Sequence, residues 1–257
     1  QDHRSFCPGA GKTLPDHGPC VEVMGTACQA CFDDRDYGER LIALTRRRFS
    51  AIANMRRVVV LSRYMREELC ALGVPGERVT VIPPFVDGIE DGKEPAVARE
   101  QAPRPEAPRP HVIAGRLAEH KGIRLALAAA RALPTGQELC LAGDGPLVSL
   151  VRGEAARSPD RFRFVGWQGR AGMRALLAGA QSLWLPSTWA EPFGIIGLEA
   201  HALGVPVIAS DVGGVRDWLR HEVDGLLVPP GDVAALTEAA RRLADRPDWA
   251  RTLGEQG

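Results

Sequence analysis

Two basic residues and two acids in the second half of this chain stand where they could grip a phosphorylated ligand. In Gly115-Arg116-Leu117-Ala118-Glu119-His120-Lys121-Gly122, an arginine and a lysine flank a short turn. One offers a planar fork and the other a point charge, a pairing suited to a diphosphate, although the two also read as solvated surface charges. Further on, Thr188-Trp189-Ala190-Glu191-Pro192-Phe193-Gly194-Ile195-Ile196-Gly197-Leu198-Glu199-Ala200 carries Glu191 just ahead of a helix that the pattern starts near Phe193. Glu199 then falls nearly two turns inside. Free amides around Gly194 and Ile195 suit an anion and a carboxylate suits hydroxyls, so the segment could hold both phosphate and sugar. Glu191 also reads as an acid favoured at a helix start. Glu199 sits between Leu198 and Ala200, where an unpaired carboxylate is costly, and this favours a functional role.

Other motifs are less specific. Gly143, Asp144 and Gly145 end a strand-like run and could let backbone approach a ligand, or form a plain turn, and Asp211-Val212-Gly213-Gly214 reads the same way. Gly9-Ala10-Gly11-Lys12-Thr13 imitates a phosphate loop, but Phe6 stands where that pattern needs its first glycine. Cys7, Cys20, Cys28 and Cys31 cluster near His3 and His17, while Cys70 and Cys140 are isolated. The cluster reads either as a structural zinc knuckle with those four as ligands, or as free or redox-active thiols.

These residues need a scaffold, and short aliphatic runs supply one. Strands are expected over His111 to Arg116, Leu139 to Gly145, Phe162 to Trp167, Ser182 to Ser187, Pro206 to Asp211 and Leu226 to Gly231. Their starts lie 28, 23, 20, 24 and 20 residues apart, room for one helix between parallel strands. The expected fold class is α/β, an open doubly wound parallel sheet that binds ligands beyond the carboxyl ends of its strands. Upstream, Arg57 to Leu61 and Val79 to Ile82 read as strands around a helix from Ser62 to Leu72, with Met65, Leu69 and Leu72 on one face. Residues 40–57 hold six arginines and no acid, with Leu41, Leu44, Phe49 and Ile52 on one helical face. Such a helix packs on its own sheet or lies on anionic lipid.

The 257 residues balance 32 Lys+Arg against 32 Asp+Glu, which excludes a broad electrostatic nucleic-acid binder. A 45% hydrophobic content excludes disorder throughout. The most apolar stretch, Gly194 to Ala209, is interrupted by Glu199 and His201 and is too short to span a bilayer. His201 reads as a packed histidine. The chain opens at Gln1 with no signal-like segment and is expected to start inside a larger protein. Domains are expected at 1–87, a partial N-terminal unit with the cysteine-rich segment, and at 110–257, a C-terminal unit. A proline-rich linker, 88–109, joins them.

Taken in order, Val81-Ile82-Pro83-Pro84-Phe85-Val86-Asp87, the Gly-Arg-Leu-x3-Lys-Gly segment, Ala142-Gly143-Asp144-Gly145-Pro146, the Glu-x7-Glu segment and Pro206-Val207-Ile208-Ala209-Ser210-Asp211-Val212-Gly213-Gly214 resemble the family-four glycosyltransferases. The resemblance implies a GT-B fold of two Rossmann-like domains and a retaining enzyme. Such an enzyme moves a hexose from a nucleotide diphosphate sugar to a glycan or lipid-linked acceptor in bacterial polysaccharide assembly. It implies that Arg116 and Lys121 hold the diphosphate, helped by the Gly115 and Gly143-Asp144-Gly145 turns, that Glu199 takes the ribose, and that Glu191, Phe193, Gly194 and Ile195 position the sugar. No cofactor is required for catalysis. A cytoplasmic location with peripheral contact to the inner membrane follows from the same resemblance, as does the absence of any nucleic-acid partner.

The chain departs from that family at Gln1-Asp2-His3, where His normally precedes Asp, so His3 is the candidate replacement. Pro84-Phe85 replaces the usual Asn-Gly. The first glycine-rich loop and final helix of the family are missing, so the chain is expected to carry a donor half-site rather than a complete cleft. A nucleotide-sugar 2-epimerase and a non-catalytic binding module are the competing readings.

Overall fold

A computed structural model of the chain describes residues 3–9, 11–15, 20, 22–86 and 109–257. Gln1, Asp2, His17, Asp87 and the expected linker, apart from Arg109, lie outside the described residues. Two compact units emerge. The first comprises residues 1–84, 188–194 and 212–218, and the second 85–187, 195–211 and 219–257.

In the first unit, α1 (Arg35–Ala53) leads to β1 (Val58–Val60), α2 (Arg63–Ala71) and β2 (Val79–Val81). The strands pair in parallel, Val58 beside Val79. Each helix starts at an acceptor side chain that meets an otherwise orphaned amide: Asp34 accepts from Tyr37 N at 2.9 Å, and Ser62 from Met65 N at 3.2 Å. Phe6, Val60, Met65, Leu69, Val74 and Val79 form its core.

The face of α1 differs from the expectation. Gly38, Ile42 and Thr45 are the buried positions, and Leu44 is 38% exposed. Small side chains explain this: a β-carbon at Gly38 would lie 2.9 Å from the Phe32 ring, so the turn over Thr26–Cys31 and its successor pack on backbone.

The second unit holds a six-stranded sheet of β3 (His111–Arg116), β4 (Leu139–Asp144), β5 (Phe162–Gly166), β6 (Ser182–Leu185), β7 (Val207–Ser210) and β8 (Gly225–Val228). The spatial order is β5-β4-β3-β6-β7-β8, and every pairing is parallel. Helices α3 (Ile123–Arg131), α4 (Val148–Arg157), α5 (Arg170–Ala178) and α6 (Ile195–His201) provide crossovers, and α7 (Val233–Asp245) and α8 (Pro247–Glu255) close the chain. Ile113, Leu141, Phe162, Trp184, Ile208 and Leu226 share one core with Leu127, Leu236 and Leu243. Full burial of side chains such as Leu141 contributes about 1.5–3 kcal/mol each.

The strand order fixes where a ligand can bind. From β3 the chain winds one way to β5, then restarts at β6 and winds the other way to β8. The reversal lies between β3 and β6. These two strands pair only at His111–Ser182 and Val112–Leu183, whereas β3 and β4 keep six paired positions through Arg116–Asp144. Beyond Val112 the ladder between β3 and β6 ends, and the carboxyl edge at such a reversal is where an open parallel sheet takes its ligand.

Candidate functional site

In the second unit, the carboxyl ends of β3 and β4 are pressed together by glycine. A β-carbon at Gly143 would lie 1.8 Å from the Gly115 carbonyl oxygen, so only glycine, here at φ +137°, fits this position. Leu117 N donates to Asp144 O at 2.8 Å and Gly145 N to Asp144 Oδ1 at 2.7 Å, which fixes the second turn beside the first. At Gly115 the space a side chain would take is open, and both Gly115 and Arg116 are exposed. Backbone and guanidinium there face solvent.

After Arg116 the chain makes a short turn over Glu119–Lys121 before α3. Gly122 rests on the end of β6, where a β-carbon would meet the Pro186 carbonyl oxygen at 1.8 Å. This close approach seats the residue after Lys121 against the end of β6. Arg116, Lys121 and the Gly143-Asp144-Gly145 turn thus gather at one edge of one sheet, as their spacing suggested. Glu199 is on α6 and half-buried.

The helix carrying Glu199 begins at Ile195, not near Phe193, so Glu199 is its fifth residue and lies about one turn inside. Gly194, at φ +89°, keeps the preceding residues out of the helix. Ile195 is 41% exposed at its start.

Glu191, Phe193 and Gly194 belong to the first unit. Glu191 is 3% exposed, and its backbone is clamped: Gly214 N donates to Glu191 O at 2.7 Å, and Trp218 Nε1 donates to Phe193 O at 2.6 Å. The clamp comes from the Gly213-Gly214 turn, which the sequence left as an unspecific pair. Its readable signal was the double glycine after a strand.

His3 is also in the first unit, 2% exposed, with its ring 5.1 Å from Trp189, 5.3 Å from Phe6 and 6.0 Å from Tyr64. Burial pushes the Tyr64 hydroxyl up, with Glu68 adding to the effect. Lys12, in the false phosphate loop, is 4% exposed; its ammonium lies 3.1 Å from Glu68 Oε2 and donates to the Glu22 carbonyl at 2.5 Å. That pairing explains the lysine without a phosphate.

The cysteines are all free thiols, Cys140 buried and the rest half-buried. Burial pushes the Cys7 thiol up against the opposing pull of backbone amides, and burial likewise raises Cys31. Among the described residues, no three His, Cys, Asp or Glu side chains are already placed to coordinate a metal ion. No described helix is long and apolar enough to cross a membrane.

Comparison with known proteins gives two family matches. Residues 109–246 match the family model described as glycosyl transferases group 1, and residues 31–88 match that of glycosyltransferase family 4. Glycogen synthase of Mycobacterium tuberculosis is 34% identical over 200 residues, covering 76% of this chain and 47% of the relative. The chain spans about half the length of such curated relatives. Sucrose-phosphate synthase of Thermosynechococcus elongatus superposes with a TM-score of 0.70 at 31% identity, over 89% of this chain and 57% of that one. The Anabaena protein Alr3699/HepE, solved with UDP-glucose, shares the fold with a TM-score of 0.69 at 20% identity, over 83% and 61% of the two chains.

Proposed function

This chain belongs to the glycosyl transferases group 1 family, and from that premise we propose that it binds a nucleotide diphosphate sugar and serves a retaining hexosyl transfer. The observation that carries the reading is the reversal of strand order between β3 and β6, with Arg116 ending β3 and Lys121 on the turn that follows it. Two cations there meet a diphosphate, and their attraction grows as negative charge develops on the departing nucleotide. That is a contribution to the transition state as well as to binding.

The Gly115 and Gly143-Asp144-Gly145 backbone lets the phosphates approach closely, and Glu199 accepts hydrogen bonds from ribose hydroxyls. Glu191, with the Phe193-Gly194-Ile195 backbone, is assigned to the transferred sugar, and His3 to a further contact with that donor sugar. With the diphosphate charge met by two side chains, the transfer needs no divalent ion at the phosphates. The acceptor is a glycan or a lipid-linked glycan, handled at the cytoplasmic face of the membrane in polysaccharide assembly.

Calorimetric titration of the chain with UDP, GDP and ADP tests the reading without an acceptor. One nucleotide should bind selectively, with affinity reduced about tenfold or more in both Lys121→Ala and Glu199→Ala. Well-folded protein that binds none of the three, or variants that bind as tightly as the wild type, would overturn it.

A further inference from the structure

Four thiols of the first unit share one small cavity, and the backbone around them is shaped to receive sulfur. Cys7, Cys20, Cys28 and Cys31 all line a space of about 50 Å³, together with Phe6 and Lys12. The chain after Cys7 curls so that the amides of Gly9, Gly11 and Lys12 face the Cys7 sulfur, with Lys12 N at 3.2 Å. That curl holds Lys12 at φ +60°, a left-handed conformation that costs a lysine roughly 1 kcal/mol. A second turn repeats the device: Gly25 N lies 3.5 Å from the Cys28 sulfur.

The other two thiols are tied to the same point. A β-carbon at Gly9 would lie 3.6 Å from the Cys31 sulfur, so the Cys7 turn packs directly on Cys31. Cys20 N donates to Lys12 O at 2.7 Å, which holds Cys20 beside the same curl. The remaining cysteines are elsewhere: Cys70 is on α2 and Cys140 on β4 of the other unit.

We propose that Cys7, Cys20, Cys28 and Cys31 close on one zinc ion, forming a structural site. Sulfur ligands in a set of four select zinc in tetrahedral geometry, and four protein ligands leave no position for chemistry. The cavity has room for an ion, since about 10–15 Å³ already holds one water-sized probe. The sulfurs line its wall rather than meeting at one point, so closure requires a change of side-chain rotamer in which each thiol turns inward. Each thiol gives up its proton as it ligates, so one Zn²⁺ replaces up to four protons and leaves a site of net charge near −2. The amides aimed at Cys7 and Cys28 stabilise that charge.

The ion would staple Cys7 and Cys20 to the turn over Thr26–Cys31. Gly11, inside the staple, fits against the Trp189 ring, where a β-carbon would lie 2.5 Å from Cε3. Trp189 is two residues from Glu191.

The test is the metal content of the whole chain, purified anaerobically without chelator, by mass spectrometry of the elements together with a mercurial titration of thiols followed by a zinc-sensitive dye. About one zinc per chain is expected, released as about four thiols react, with content falling below about a tenth in Cys20→Ser and Cys28→Ser and unchanged in Cys140→Ser. Where a serine variant does not fold, the wild type loaded with cobalt should show thiolate-to-metal charge-transfer absorption and tetrahedral d–d bands. Less than about a tenth of a zinc per chain, metal released without thiol reaction, or iron accompanied by acid-labile sulfide would each overturn the single-ion site.

Discussion

Gly213 presses on Glu191: a β-carbon at Gly213 would stand 2.2 Å from the Glu191 carbonyl oxygen, and Gly214 N already donates to that same oxygen at 2.7 Å. A glycine turn thus sets the backbone of the acid proposed to position the sugar. Gly213 also holds φ +55°. Gly213→Ala should therefore cost at least about 1–2 kcal/mol from the backbone conformation alone, and more from the clash. Urea denaturation measures it, and a variant as stable as the wild type would show that the turn can move away from Glu191.

Charge at the β3 turn can be separated from fold. Lys121 is half-buried on a short turn rather than in the core, so Lys121→Ala should keep the unfolding midpoint close to that of the wild type. Turnover of a nucleotide sugar by any form of the protein that is active should fall about 10²–10³-fold, the scale seen when one transition-state donor is removed. A loss confined to KM, with kcat unchanged, would mean that Lys121 only binds.

His111 makes stability depend on pH. It is fully buried at the start of β3, Nδ1 stands 2.8 Å from Ser182 Oγ, and burial pushes its pKa down from 6.5 to about 4. Between those values the unfolded chain takes up a proton that the folded chain refuses. Stability should fall as pH drops through that window, by about 3 kcal/mol in all from this one group. Denaturation at pH 7 and pH 4.5 in the wild type and in His111→Gln checks it; equal pH slopes in the two proteins would remove His111 as the cause.

Glu154 acts with the opposite sign. On α4 it is 5% exposed and pairs with Arg131 at 2.5 Å and Arg157 at 2.7 Å, and hydrogen bonding to Arg131 leads the effects that hold its carboxyl below the usual 4.5. The pairing is complete above that value and is lost as acid protonates the folded form. Both arginines are more than half exposed, so solvent screening limits the stabilisation to about 1 kcal/mol. The midpoint difference between wild type and Glu154→Gln should be present at pH 7 and shrink as the pH falls below 4.5; a difference that stays constant into acid would point to packing instead.

Much of the second unit was legible because its strands are buried aliphatic runs. Val112 and Ile113, or Leu139 to Leu141, announce a parallel strand whatever surrounds them. The placement of Arg116 and Lys121 at the end of β3 and on the turn after it was legible for a related reason, since the aliphatic run marks where the strand stops. What the pattern could not convey were contacts made by the absence of a side chain. Gly38 turns α1 onto a different face from the one its leucines suggest, and Gly213 grips Glu191, yet neither residue has any apolar surface to count. The start of α6 was misplaced for the same kind of reason: Gly194 takes a left-handed φ, and the helix waits until Ile195. The pairing of Lys12 with Glu68 joins residues 56 positions apart in sequence and leaves no local trace.

Finally, the two compact units are not two stretches of chain. The backbone passes from one to the other five times, at 84/85, 187/188, 194/195, 211/212 and 218/219. No single cut releases either of them whole. A truncation beginning at residue 110 would carry residues 188–194 and 212–218 without the rest of their own unit, and Trp189 would lose its packing on His3 and Gly11. The second unit of this protein therefore cannot be exchanged among relatives as one contiguous cassette: a graft of residues 85–257 would have to bring residues 1–84 of the same parent with it.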